Sequence, residues 1–180
     1  MSTVHKLGYD LDRVTAFALK DQTAGFFNQF DGRSLAKTWV PPVVQPADTT
    51  EDDAQLGDCT VFGTVPLLSK RAAAVLRTLA PGASEFLPVR YTRAPLFVMN
   101  VLGTVDCLDE SRSRIDRFET GRVMRITEYV FDPTRLPRAP VFRLPQLPRG
   151  QIYVSDPFVR AVRQGNLSGF EFTPLWSSDP

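Results

Sequence analysis

Hydrophobic and polar positions along this chain follow two periods, and the clearest signal begins at Thr64. In "VPLLSKRAAAVLRTLAPG" the residues Leu68, Ala72, Val75, Leu76 and Leu79 recur at helical spacing and form one apolar stripe. Ser69 is placed to cap that helix and Pro81-Gly82 to end it. "SEFLPVRY" then reads as a strand. "PLFVMNVLGTVDCLD" follows, almost wholly apolar from Leu96 to Leu102, as suits a central strand buried on both faces. "DESRSR" is a polar connection. "RVMRITEYVF" alternates Val123, Arg125, Thr127 and Tyr129 against Met124, Ile126, Glu128 and Val130. That pattern predicts a half-buried antiparallel strand, ended by Asp132-Pro133.

"APVFRLP" and "GQIYVS" predict two more short strands. "SDPFVRAVRQGN" predicts a helix with Ser155 or Asp156 as cap, Pro157 early in its first turn and Gly165 at its stop. "SGFEFTPLW" closes as a strand. Upstream, "RVTAFAL" reads as a strand, and "GFFNQFDGRSL" is an aromatic run ending in a turn at Asp31-Gly32. "TWVPPVV" is extended, because Pro41 and Pro42 forbid a helix interior. "QPADTTEDDAQLGD" has no periodicity and reads as a loop, the least packed stretch of the chain.

A shift of 86 residues aligns Leu68 with Val154, Ser69 with Ser155, Leu76 with Val162, Glu85 with Glu171, Phe86 with Phe172 and Pro88 with Pro174. Two copies of one helix-then-strand unit are therefore expected, at about 69–90 and 155–175. The predicted fold is α+β, with a mainly antiparallel or mixed sheet and a β-rich N-terminal region. The chain, 1–180, is expected to form a single domain. It allows a β-rich N-terminal subdomain over 1–58 and a core over 60–175.

The 180 residues suffice for one domain or two small ones. No apolar run approaches the roughly 20 residues that span a bilayer. The segment "MSTVHKLGYDLDRV" has no apolar core of a signal peptide, so a cytoplasmic protein without membrane partners is expected. Cys59 and Cys107 stand apart, and reduced thiols fit that setting better than a disulfide. The net charge of +1 hides five basic against nine acidic groups in residues 1–60. The arginines of the second half are scattered among acids and prolines, so a mixed solvated surface is expected rather than a nucleic-acid site.

Candidate chemistry changes the picture little. Glu85 and Glu171 invite a paired-carboxylate reading. Strand alternation, however, sends each glutamate to solvent and the neighbouring phenylalanine to the core. His5 is the only histidine, so any His-based triad must use it; a surface role is expected. Asp106, Asp109 and Glu110 cluster in "DCLDE", where a cation or a turn would each explain them. "GDCTVFG" lacks the Gly-Lys-Ser/Thr of a phosphate loop. No catalytic residue, metal ligand or cofactor-binding residue is assigned. Asp48, Glu51, Asp52, Asp53 and Asp58 form an acidic stretch that is either a solvated loop or a patch for a basic partner, the patch being assigned to Asp48, Glu51, Asp52 and Asp53.

Taken in order, "VPLLSKRAAAVLRTL", "EFLPV", "VMNVLGTVDCLDESRS", "VFDPTRLPRAPVFRLPQL" and "IYVSDPFVRAVRQGNLSGFEFTPL" resemble a family of bacterial immunity proteins of polymorphic toxin systems, immunity family eleven. The resemblance covers about residues 60–175. It implies an α+β protein that binds and neutralises a cognate toxin in the producer's cytoplasm during bacterial competition. It implies no enzyme activity, no cofactor and no catalytic residues. Two readings stand beside it: a small-molecule-binding or scaffolding α+β domain, and a hydrolase built on the Asp106 corner or the two glutamates.

Overall fold

A computed structural model describes residues 2–178. β1 (Thr3–Tyr9) and β2 (Phe17–Leu19) precede a 3-10 turn at Phe26–Gln29 and β3 (Val44–Pro46). β4 (Cys59–Phe62) and β5 (Val65–Ser69) form a hairpin that runs into α1 (Lys70–Leu79), β6 (Ser84–Pro88) and β7 (Leu96–Val101). β8 (Arg114–Arg117) and β9 (Val123–Glu128) form a second hairpin. β10 (Val141–Phe142), β11 (Tyr153–Ser155), α2 (Asp156–Gln164) and β12 (Phe170–Ser177) complete the chain. The fold is α+β, as the patterning predicts.

The duplicated unit is real, and it is larger than the sequence similarity suggests. One sheet runs β4-β5-β7-β6, extended at the β4 edge by β2 and β3; the other runs β10-β11-β1-β12. The strand pairs of the second sheet match the first in register, except for a shift in the β1–β12 pair between Val4 and His5. Leu68 faces Phe97 as Val154 faces His5, Phe86 faces Met99 as Phe172 faces Leu7, and Cys59 faces Leu68 as Val141 faces Val154. In each copy a helix crosses between two parallel strands that have an antiparallel strand inserted between them. The first copy draws that inserted strand, β7, from just after β6. The second draws it from the other end of the chain, as β1. The ends of β1 and β12 meet where the first copy has its β6–β7 connection, and the Ser178 N–H donates to the Ser2 carbonyl at 3.0 Å.

Three apolar clusters follow from this arrangement. The shared central one takes Leu68, Leu76 and Met99 from the first copy and Val154, Val162 and Leu7 from the second, in matched positions. The two helices pack there against each other. The back face of the first sheet, with Leu67, Leu87, Leu96 and Val98, is covered by the residues between β1 and β4. The back face of the second, with Val4 and Tyr153, is covered by the residues between β7 and β10. The sheets touch at Gly169 (φ 82°), where an added Cβ would overlap the Cys59 carbonyl. Only glycine fits that joint.

Gly165 stops α2 as expected, with the left-handed turn one residue later, on Asn166 (φ 46°). Two local expectations need correction. Ser69 caps α1 through its hydroxyl, which accepts from the Ala72 N–H at 3.1 Å, but Ser155 makes no such bond at α2. In β9 the expected alternation fails: Val123 and Ile126 are both buried, and Met124 is exposed. The β8–β9 register shifts between Asp116 and Arg117, a bulge that places one extra residue on β9 and turns Met124 outward.

Candidate functional site

The acidic stretch is a loop between β3 and β4, as its lack of periodicity predicts. Its ends are stapled to the chain before β2. The Ala47 N–H donates to the Ala16 carbonyl, the Thr15 N–H to the Gln55 carbonyl, and the Gln55 N–H to the Thr15 hydroxyl. Ala54 is buried beneath it. Asp48, Glu51, Asp52 and Asp53 are all exposed. Glu51 accepts from the Thr92 hydroxyl and Asp53 from the Thr50 hydroxyl, which fixes two of the four carboxylates. Asp48 and Asp53 line a cavity of about 320 Å³, and the fold brings Leu11 and Asp12 from the β1–β2 turn to the same cavity. Leu11 and Leu56 are exposed beside it. The surface is thus wider than the sequence indicates, with exposed Leu11 lining the same cavity as Asp12, Asp48 and Asp53.

The two glutamates do not share a cleft, and they differ from each other. Glu171 is exposed, as alternation predicts. Glu85 is not a solvent group. Its carboxylate accepts from the Leu35 N–H, the Ser34 hydroxyl at 2.8 Å and the Asn100 amide at 2.8 Å. Alternation chose the face correctly, but a strap formed by residues 31–39 covers that face. The Trp39 indole N–H donates to the Pro88 carbonyl at 2.7 Å and the Asn100 amide to the Arg33 carbonyl at 2.9 Å, holding the strap down. Phe86 and Phe172 are half-buried and pack against the central cluster.

His5 is not a surface residue. It is ordered in β1, and its Nε2 lies 3.1 Å from Asp156 Oδ1. The other Asp156 oxygen accepts from the Thr3 N–H at 3.0 Å. Burial raises the Asp156 pKa, but His5 and the Thr3 N–H outweigh it and hold the carboxyl below its ordinary value. The pair ties β1 to the start of α2.

The Asp106 corner is occupied by the protein's own groups. Asp109 accepts from the Ser111 and Arg112 N–H groups and the Ser111 hydroxyl, which build its turn. Glu110 pairs with Arg117 at 2.6 Å, and Asp106 pairs with Arg135 at 3.5 Å. Gln146 bridges Asp106 and Glu110. Cys59 and Cys107 are buried free thiols in different clusters. Burial pushes the Cys107 thiol up to about 12, so neither its nucleophilicity nor its oxidation is promoted.

Asp58, expected at the surface with the acidic stretch, and Arg143, which the sequence does not single out, are both internal. Asp58 is only 7% exposed and gathers Ser69, Arg71 and Ser168 around its carboxylate. Arg71 also donates to the Gly165 and Asn166 carbonyls at the end of α2. Burial raises the Asp58 pKa, but the Arg71 guanidinium, the Ser168 N–H and the Ser69 hydroxyl more than offset this and lower it. Arg143 is fully buried, and its guanidinium donates to the Pro148 and Gly150 carbonyls, fixing the loop before β11. Both look like surface charges in sequence. Only their partners, which are distant in the chain or carbonyls of a loop, identify them as internal staples.

Among the described residues, no helix is long and apolar enough to cross a membrane. No curated protein matches the chain. The model of an immunity protein family, Imm11, matches residues 21–176. That span takes in the acidic stretch at 48–53, the strap and both copies of the sheet except β1, so the chain belongs to the immunity protein family Imm11.

Proposed function

We propose that this protein binds a cognate antibacterial toxin in the producer's cytoplasm and neutralises it by stoichiometric occupancy. The observation that carries this reading is the family match over residues 21–176. Occupancy fits the carboxylate groups described above. The Glu85, Asp58 and Asp106 clusters are consumed by the protein's own hydrogen bonds and ion pairs. Full protection needs tight binding: a nanomolar complex is worth about −12 kcal/mol. An interface of this kind usually buries on the order of 1,600 Å² in total.

Part of that interface is assigned to Asp48, Glu51, Asp52 and Asp53, with Asp12 and Leu11 beside them. Toxins that attack nucleic acid carry basic clefts, and a cluster of carboxylates complements such a cleft. Charge of this kind acts mainly on the association rate and weakens with salt. The test is a titration, at low and moderate salt, of a toxin whose growth arrest this protein relieves on co-expression. The protein is compared with a variant carrying Asp48→Asn, Glu51→Gln, Asp52→Asn and Asp53→Asn. Slower association of the variant at low salt, with the difference shrinking as salt rises, is expected. Equal rates at low salt remove the acidic surface from the interface. Inactivation of excess toxin by sub-stoichiometric protein removes the occupancy mechanism.

A further inference from the structure

The internal duplication supplies a template for a second contact surface, because the two copies are covered unequally. In the first copy the back face of β6 and β7 is closed by the strap, and Leu87 and Val98 beneath it are 4% and 0% exposed. Register equates these residues with Thr173 and Lys6 of the second copy. Thr173 is exposed and Lys6 half-exposed. A groove of about 510 Å³ lies over them, with Tyr129, Leu147 and Leu175 among its walls. Met124, expelled by the β9 bulge and 48% exposed, stands at its edge.

The anchor of the strap is also repeated. Glu85 holds the strap in the first copy; its equivalent Glu171 lies two residues before Thr173 on the same face of β12. Glu171 is exposed and accepts no side-chain hydrogen bond among the described residues. Opposite it, Gly8 stands where the first copy has Asn100, the residue that fills the space beside Glu85. The second copy therefore keeps the anchor, puts a glycine under the Glu171 side chain where the first has Asn100, and replaces two buried apolar side chains by polar ones.

We propose that this groove receives an extended segment of the cognate toxin, laid along β12 as the strap is laid along β6. The proposal rests on the immunity reading above. The strap defines the chemistry of the occupant. A main-chain N–H and a hydroxyl side chain would donate to Glu171, as Leu35 and Ser34 donate to Glu85. An indole or amide would donate to the Pro174 carbonyl, as Trp39 donates to Pro88. Lys6, absent from the first copy, favours a carboxylate or carbonyl on the segment above it. Apolar side chains would bury against Leu147 and Leu175.

The test is calorimetric titration, into the parent, Thr173→Trp and Glu171→Ala, of a toxin whose growth arrest this protein relieves on co-expression. Thr173→Trp fills the groove from an exposed position, and Glu171→Ala removes the anchor, so both should keep the parent's circular dichroism and melting temperature. Loss of at least about tenfold in affinity for Thr173→Trp, and a smaller loss for Glu171→Ala, is expected. Parent-like affinity in both variants overturns the groove while leaving the immunity reading intact. No binding by the parent overturns the immunity reading, and the groove proposal with it. Sedimentation of the same proteins without toxin checks the rival occupant, a second copy of this chain. A parent dimer that Thr173→Trp dissociates, with toxin affinity unchanged, overturns the toxin-segment proposal.

Discussion

At the scale of single residues, Asp58 carries more of the fold than any other charge. It collects donors from the start of α1 and from the turn after α2, so one carboxylate joins the two copies. Asp58→Ala leaves the Ser168 N–H and the Arg71 guanidinium without their partner and should cost about 3 kcal/mol at pH 7. Because its folded pKa is lowered, the stabilisation is fully present above the unfolded carboxyl value of about 3.9. It is lost as the pH falls from there through the folded pKa. Urea unfolding of both proteins should therefore show a large gap at neutral pH that closes in acid. A constant gap would mean that the loss is one of packing rather than of charge.

Among the elements, the two helices test how far the duplicated units are alike. α1 has a working cap in Ser69, whose hydroxyl also donates to Asp58. α2 has a serine in the same place that caps nothing, and its first turn is fixed instead by Pro157 and the His5–Asp156 contact. Ser69→Ala should thus lower stability by about 1–2 kcal/mol and Ser155→Ala by a few tenths, read from denaturant midpoints at constant slope. Similar losses for both would show that the hydroxyl of Ser155 has a partner in solution. The phenylalanines of the matched strands are half-buried, so Phe86→Ala and Phe172→Ala should each cost less than the roughly 3–5 kcal/mol of a fully buried ring.

For the whole molecule, the arrangement of the copies makes a topological prediction. β1 is the inner strand of the second sheet, and it corresponds to β7 of the first. The connection of residues 89–95 and the junction of Ser178 with Ser2 occupy matched places. A permuted chain that links residue 178 to residue 2 and opens within 89–95 should fold with the parent's circular dichroism spectrum, somewhat destabilised by the lost β6–β7 connection. Failure to fold would show that this hairpin connection is needed for assembly. We further propose that the chain unfolds as one cooperative unit, since β1 is held between two strands from the other end of the sequence. Limited proteolysis should cut first among the exposed residues 48–53. Early cleavage within 95–131 would argue for a separable unit there.

Periodicity, caps and breakers were enough to place α1, α2 and most strands, because these signals act within a turn or a strand length. The 86-residue repeat was likewise legible, since its caps, breakers and Glu-Phe-x-Pro strands sit close together in each copy. The bulge at Met124 was not, because it depends on which residue of β8 pairs with which of β9. Nor was the membership of β1 in the second copy: no local pattern ties residue 5 to residues 154 and 174. Exposure of the acidic residues followed from composition, whereas the arrival of Leu11 and Asp12 beside them depended on chain folding. The two glutamates show the division most clearly. Their sequence contexts are nearly the same, and alternation gives both the same face. Only the tertiary structure decided that Glu85 is closed under a strap and Glu171 is open, because what covers a strand comes from another part of the chain.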